Sequence, residues 1–394
     1  MTSSSDSPPG PARRTALVWH ERFAWYEAGI GAGFAPAGGL VQPYEPVDAP
    51  AAKARLRSLV DVCGLSEWLR LLTPTAAGED ALRSFHDDAY LERLRQLDAA
   101  GSGDAGEAAP VGPDAYETAR LGVGACLLAV DEVVAGDVDN AYALVRPPGH
   151  HARRGEGVGS CLLANAVLAA HHARDRHGIE RIAIVDWDVH HGNGAQEAFW
   201  DDPDVLTLSI HQEGYFPPGS GALDELGGPA ALGANLNVPL PPGSGHAAYL
   251  QAAHRIVAPA LRDHRPELIL VCSGYDAAAM DPMGRMLLHS DSFRELTRVV
   301  KEVAEEQCEG RLVVIQEGGY SPAYTPFCGV AVIEELVGVR VCEDPFIDVF
   351  RGMPGQEATP EQLGQIEAAA RVARLLDMHL DQLGEAMGRA GDPG

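Results

Sequence analysis

A parallel α/β sheet covered by helices on both faces is the fold class this sequence predicts. Three observations carry it. Short apolar segments rich in Val, Ile and Leu alternate with longer helical patterns, the signature of strand–helix–strand units. Those segments are continuously apolar, as strands buried on both faces are. The 394 residues, 46% hydrophobic, suffice for one large core, and neither an internal repeat nor a linker between two cores is visible. One domain over residues 15–390 is expected. A Ser/Pro-rich tail, residues 1–14, precedes it and is expected to be disordered; it has no apolar h-region.

Residues 15–20 read as the first strand. A Gly/Pro-rich loop at about 29–50 precedes helical stretches at 51–72 and 78–97. Residues 99–113, which include Gly101-Ser102-Gly103-Asp104-Ala105-Gly106-Glu107, read as a mobile loop bordering a ligand entrance. Helix 114–135, strand 141–146, helix 161–177, strand 181–188, helix 194–200 and strand 205–211 follow. After a long loop and Asn237-Val238-Pro239-Leu240 come helix 246–264, strand 267–273, helix 290–308 and strand 311–316. Helices near 328–338 and 360–388 close the chain.

Charge narrows the function classes. Thirty Lys and Arg against 56 Asp and Glu give a net charge of −26, which argues against nucleic-acid or anionic-membrane binding and favours cationic partners. Seven cysteines, odd in number and without a C-x-x-C pair, fit reduced thiols in a cytoplasm better than a disulfide framework. No apolar run approaches the roughly 18 residues of a membrane span.

Ligands of such sheets bind beyond the carboxyl ends of the strands. Four strand ends carry the unusual residues: Arg146-Pro147-Pro148-Gly149-His150-His151, Asp186-Trp187-Asp188-Val189-His190-His191-Gly192-Asn193-Gly194, Ser273-Gly274-Tyr275-Asp276, and Glu317-Gly318-Gly319-Tyr320. Asp186, Asp188 and His190 recur at period two, so a strand would point all three to one side. Buried carboxylates and an imidazole converging there require a cation. Asp188, His190 and Asp276 make an open set of three oxygen and nitrogen ligands, the pattern of a catalytic zinc site, although iron(II) or cobalt(II) suits the same donors. Asp276 alone would also suit a helix N-cap, because Ala277-Ala278-Ala279 follows. Asp186 is free to orient a histidine or hold a monovalent cation. His150, His151 and Tyr320 are candidate site residues by position, whereas His191 falls on the opposite face of the strand.

Together these four motifs resemble the zinc-dependent histone deacetylase family in order and spacing. Ser209-Ile210-His211-Gln212 and Phe216-Pro217-Pro218 are similar to the class II branch, its bacterial amidohydrolase relatives and the acetylpolyamine amidohydrolases. The resemblance spans roughly residues 15–350. It implies an arginase/deacetylase-like domain with an eight-stranded, mostly parallel sheet. It also implies a homo-oligomer, and amide hydrolysis of acetyl or other short acyl groups from acylated amines. It assigns Asp188, His190 and Asp276 to zinc, His151 to general base and acid, His150 to a partner oriented by Asp186, and Tyr320 to carbonyl polarisation. Asn193 falls where other branches place an acid behind the second histidine. Asp186, Ser209 and Ile210 match a potassium site, and Phe199, Asp202 and Val205 a second one. Gly159, Ser160, Phe216 and Gly318 match the substrate channel.

The sequence departs from the family at Ser160, where the usual pattern has a phenylalanine forming one tunnel wall. A wider channel accepting a bulkier acyl group or amine than acetyl-lysine follows if no neighbour fills the gap. Two other readings remain: a catalytically weak binder of acylated amines, and a binuclear manganese ureohydrolase, which needs second-metal ligands that Asp186 and His191 do not obviously supply.

Overall fold

The computed structural model describes residues 14–373 apart from residues 30, 33 and 34. The tail through residue 13 and residues 374–390 of the expected domain lie outside the described residues. Arg14, the last residue assigned to the tail, is already tied down: its amide donates to Asp139 Oδ2 at 2.7 Å and its guanidinium to the Gly136 carbonyl at 2.6 Å.

One sheet of eight strands organises the molecule. The strands are β1 (Thr15–Val18), β2 (Leu69–Leu72), β3 (Asn140–Ala143), β4 (Ile182–Asp186), β5 (Val205–Gln212), β6 (Asn235–Leu240), β7 (Leu268–Ser273) and β8 (Leu312–Gln316). They lie in the order β6-β5-β4-β7-β8-β3-β1-β2, and every neighbouring pair is parallel. The principal helices are α1 (Ala51–Val62), α2 (Ala115–Val134), α3 (Asn165–His177), α4 (Ser290–Cys308) and α5 (Thr325–Val337). Successive strand residues feed two cores. Leu17, Ala183 and Val185 pack with Leu56, Phe293 and Val332 of α1, α4 and α5. Ala16, Val18, Ile182 and Ile184 pack on the other face with Val123 and Val167 of α2 and α3. This is the two-sided burial that continuous apolar strands require.

Two strands escaped the pattern, both at sheet edges. The helix expected over 51–72 stops at Gly64, whose φ of 79° is left-handed, and Leu69–Leu72 then pairs with β1. Half-exposed Leu-Arg-Leu-Leu carries no strand periodicity of its own. Asn235–Leu240 carries no clear strand signal because it holds two asparagines and Pro239, residues that an edge strand tolerates. The stretch 78–97 divides into helices Glu79–Arg83 and Asp88–Ala100. The run from His246 to His264 is continuous but contains a π turn, Ala253–Val257. The last expected helix is present over 360–373.

The segment 99–113 is laddered rather than loose. Gly103–Asp104 pairs with Pro110–Val111, and Gly106–Glu107 pairs with Gly157–Val158. The Glu107 and Ala108 carbonyls then accept from the Gly159 and Ser160 amides at 2.9 and 2.8 Å. His86 supports the same region. Its Nδ1 donates to the Arg154 carbonyl at 3.2 Å while Nε2 accepts from the Ala164 amide at 3.0 Å, an arrangement open only to neutral imidazole. Burial accordingly lowers the His86 pKa from 6.5 to about 4. As pH falls, the unfolded chain takes up this proton first, so stability is lost between pH 6.5 and about 4, by roughly 3 kcal/mol from this group. His86→Gln keeps one acceptor and one donor. Urea denaturation across this range should show a shallower acid dependence for the variant, and an unchanged slope would contradict the assignment.

Candidate active site at four central strand ends

β4, β7, β8 and β3 are consecutive across the middle of the sheet, so the four motif-bearing strand ends open side by side. The chain reaches this point by crossing from β3 to β4 over the places later taken by β8 and β7, the kind of switch at which α/β sheets bind ligands.

The period-two cluster converges by a different route from the one strand geometry suggests. β4 stops at Asp186. Beyond it, Asp186 Oδ1 accepts the Asp188 amide at 2.9 Å, and Asp188 Oδ1 accepts the His190 amide at 3.0 Å. Each carboxylate thus caps the amide two residues on, and two successive side-chain turns replace the pleat. Asp188 Oδ1 also lies 2.9 Å from His190 Nδ1, while Asp188 Oδ2 accepts the Gly318 amide at 2.8 Å. Asp276 uses Oδ1 for the Val189 amide at 2.8 Å. Its Oδ2 stands 3.2 Å from His190 Nδ1 and, although buried, has no hydrogen-bond partner. No helix follows Asp276, so it caps none.

These donors fit a metal ion. One ligand atom from each of Asp188, His190 and Asp276 falls within 4.8 Å of the others, and all three residues are buried. Their charge balance shows the same need. Burial opposes a charged His190, yet its contacts with Asp188 and Asp276 hold its pKa well above the imidazole range. Burial and the Asp188 charge raise Asp276 to about 6. A proton on His190 thus stands where a cation would satisfy both carboxylates and the orphaned Asp276 oxygen.

The histidine pair is held asymmetrically. His150 Nδ1 meets the Asp186 carboxylate at 2.8 Å, and its Nε2 lies 3.7 Å from Asp188 Oδ1. Burial disfavours its charge, but Asp188 and Asp186 prevail and lift the pKa to about 10. His151 Nδ1 instead meets the amide oxygen of Asn193 at 2.7 Å, and Asn193 Nδ2 donates to the His151 carbonyl at 3.2 Å. That second bond fixes the amide so that its oxygen accepts from Nδ1–H, leaving Nε2 as the basic nitrogen. Burial and the neighbouring cationic His150 and His190 hold His151 well below the usual range. The two rings lie 3.9 Å apart, centre to centre.

Phe216 meets the His151 and His190 rings edge-on at 5.1 and 5.9 Å. A Cβ on Gly159 would come within 2.7 Å of both His151 Cδ2 and Phe216 Cε1, so this glycine is what lets the backbone pass between them. Ser160, buried with φ of 65°, completes the corner. A Cβ on Gly318 would overlap the Asp276 and Asp188 carboxylates, so this residue packs directly against both. Tyr320 keeps part of its surface exposed. Desolvation of its hydroxyl, with Asp276 and Asp188 near, holds the phenol well above its usual range. His191 turns away to Ser220 and Gln196, at 3.0 Å each.

Of the two expected monovalent sites, the first is assembled by register: Asp186 pairs with Ser209 across β4 and β5, with Ile210 next in line. Asp186 and Ser209 also border a small void of about 10 Å³. Phe199, Asp202 and Val205 share one turn, but the Asp202 carboxylate is committed to Arg174, which leaves only its carbonyl for a cation.

Three contributors were not singled out from sequence. Glu317 Oε2 accepts the Gly149 and His150 amides at 2.7 and 3.2 Å, fixing the histidine loop. Asp281 Oδ2 accepts the Tyr320 and Ser321 amides at 2.7 and 3.1 Å. Tyr215 stacks on His190 at 5.5 Å. Glu317 lies inside a recognised motif, and only its role was unread. Asp281 sits in a loop that no strand pattern marks.

Known proteins are similar to this chain in sequence and fold. The model of the histone deacetylase domain matches residues 47–336. The histone deacetylase-like amidohydrolase of Pseudomonas aeruginosa is 52% identical over 341 residues, covering 85% of this chain and 90% of that protein. Human polyamine deacetylase HDAC10 is 36% identical over 322 residues, covering 78% of this chain and 45% of that one. The crystal structure of the HDA15 HD domain superimposes with a TM-score of 0.81 at 26% identity, over 95% of this chain and 99% of that domain. With a matching domain over most of its length and the four motifs gathered at the ends of four central strands, the chain belongs to the histone deacetylase family.

Proposed function

We propose that the chain is a zinc-dependent amidohydrolase that removes acetyl or other short acyl groups from acylated amines. The observation carrying this reading is the contact between two groups of residues: the Asp188–His190–Asp276 set, and a histidine pair in which one ring rests on a carboxylate and the other on an amide. A binder of acylated amines has no use for that asymmetry. Among the described residues, the other buried group with metal-ligand spacing is His150, Cys161 and Glu317, whose thiol is a soft donor ill-suited to manganese; this disfavours a second manganese beside the first.

Zinc held by Asp188, His190 and Asp276 would supply Lewis acidity, activating water and polarising the scissile carbonyl. His151 accepts the water proton at Nε2, its Nδ1–H anchored on Asn193. The Tyr320 hydroxyl, unionised at neutral pH, donates to the developing oxyanion. His150, charged through Asp186, adds positive potential and discourages His151 from taking up a proton before substrate arrives. His151 then returns its proton to the departing amine. The net charge of −26 favours cationic substrates, whether acetyl-lysine peptides, acetylpolyamines or an aminated metabolite. Potassium at Asp186, Ser209 and Ile210 would fix the end of β4, and the second site at Phe199, Asp202 and Val205 would act through carbonyls. Cytoplasmic residence and a homo-oligomeric state complete the proposal.

Assay of an acylated-amine panel before chelation, after it, and after zinc return tests this reading. Activity should vanish and recover with the metal; hydrolysis indifferent to chelation would overturn it. Ser160, standing where the family's tunnel phenylalanine is expected, makes a separate prediction. Ser160→Phe should lower kcat/KM for bulky acyl groups by about tenfold or more, the cost of roughly 1.4 kcal/mol of misfit, and spare acetyl-lysine. An unaltered substrate ranking would show that a neighbour already fills the gap.

A further inference from the structure

Away from these strand ends, Asp131 on α2 receives two imidazoles of α3. His172 Nε2 lies 2.7 Å and His177 Nε2 2.6 Å from the same oxygen, Asp131 Oδ1. The two rings meet edge-on at 5.6 Å. The three ligand atoms fall within 4.8 Å of one another, and all three residues are partly exposed. We propose that Asp131, His172 and His177 form a second metal site, for a borderline divalent ion such as zinc, nickel or copper.

Donor chemistry selects the ion. Two imidazoles and one carboxylate suit late transition metals, whereas calcium and magnesium require oxygen donors throughout. Geometry asks for little adjustment. A tetrahedral zinc site with bonds near 2.0–2.1 Å places its ligands about 3.3 Å apart, so the two hydrogen bonds open by roughly 0.7 Å as the ion replaces their protons. The fourth position then faces water.

Helix ends favour the same charge. Asp131 lies in the last turn of α2, which ends at Val134, and His177 is the final residue of α3. Both carbonyl-bearing termini converge where the ion would sit, and their dipoles favour a cation. Arg174, also in the last turn of α3, is directed to Asp202 instead. A cavity of about 220 Å³ lined by Asp80, Ser84, Leu168, His172, Asp175 and Arg176 opens beside His172 alone of the three ligands. The ion would bridge α2 and α3, the helices that cover the second core, so it would act on stability rather than on turnover.

Equilibrium dialysis of the holoenzyme against zinc, with bound metal counted by elemental analysis, tests the site. The intact protein should hold one equivalent more than His172→Gln/His177→Gln, and acylated-amine hydrolysis should be unchanged in the variant. Asp131→Asn, which leaves both imidazoles in place, should weaken the extra equivalent at least tenfold and guards against misfolding of the double variant. Added zinc should raise the melting temperature of the intact holoenzyme and not that of the double variant. Equal metal counts in all three proteins, or loss of the extra equivalent only together with activity, would overturn the proposal and leave Asp131 as a hydrogen-bond acceptor alone.

Discussion

His151→Ala should lower kcat by about 10²–10⁴-fold, the usual worth of a general acid–base residue, with the metal content of the protein unchanged. His151 is anchored by hydrogen bonding to Asn193 rather than to Asp188, His190 or Asp276. Loss of turnover with metal retained therefore isolates the proton-transfer role. Turnover and elemental analysis on the same preparation check it. The pH profile gives a second readout. Neighbouring positive charges hold His151 low, and removing one of them by His150→Ala should move the acid limb of kcat/KM to higher pH. Retention of more than a tenth of wild-type kcat in His151→Ala would assign the proton transfer elsewhere.

Tyr320→Phe should cost about 10²–10³-fold in kcat, the range for deleting one oxyanion donor, with KM little altered. The backbone of Tyr320 is pinned by Asp281, so the phenyl ring should keep its place and only the hydroxyl should be lost. The hydroxyl stays protonated far above neutral pH, which makes it a donor throughout the assay range. A rise in KM at constant kcat would indicate ground-state binding instead, and would favour the acyl-amine-binder reading.

The sequence displayed the site more completely than the sheet. Asp188, His190, Asp276, His150, His151 and Tyr320 were legible because each ends a buried apolar strand, where titratable groups stand out. β2 and β6 were not: half-exposed β2 lacks the continuous apolar pattern, and buried β6 breaks it with Asn235, Asn237 and Pro239. The asymmetry of the histidine pair was only half legible. Asn193 could be placed from its motif, but its amide orientation depends on a bond to the His151 carbonyl, which is a property of the folded loop. Asp281 was invisible for a similar reason: it reaches Tyr320 from a loop 39 residues away in sequence.

The strip from 99 to 113 carries a consequence for affinity. Its carbonyls hold the Gly159 and Ser160 amides, and Gly159 sits between His151 and Phe216. The wall beside His151 is thus ordered as the chain folds. An acyl amine bound there, as proposed, would meet a preorganised surface and lose little affinity to loop ordering, so that selectivity would rest on the shape already in place.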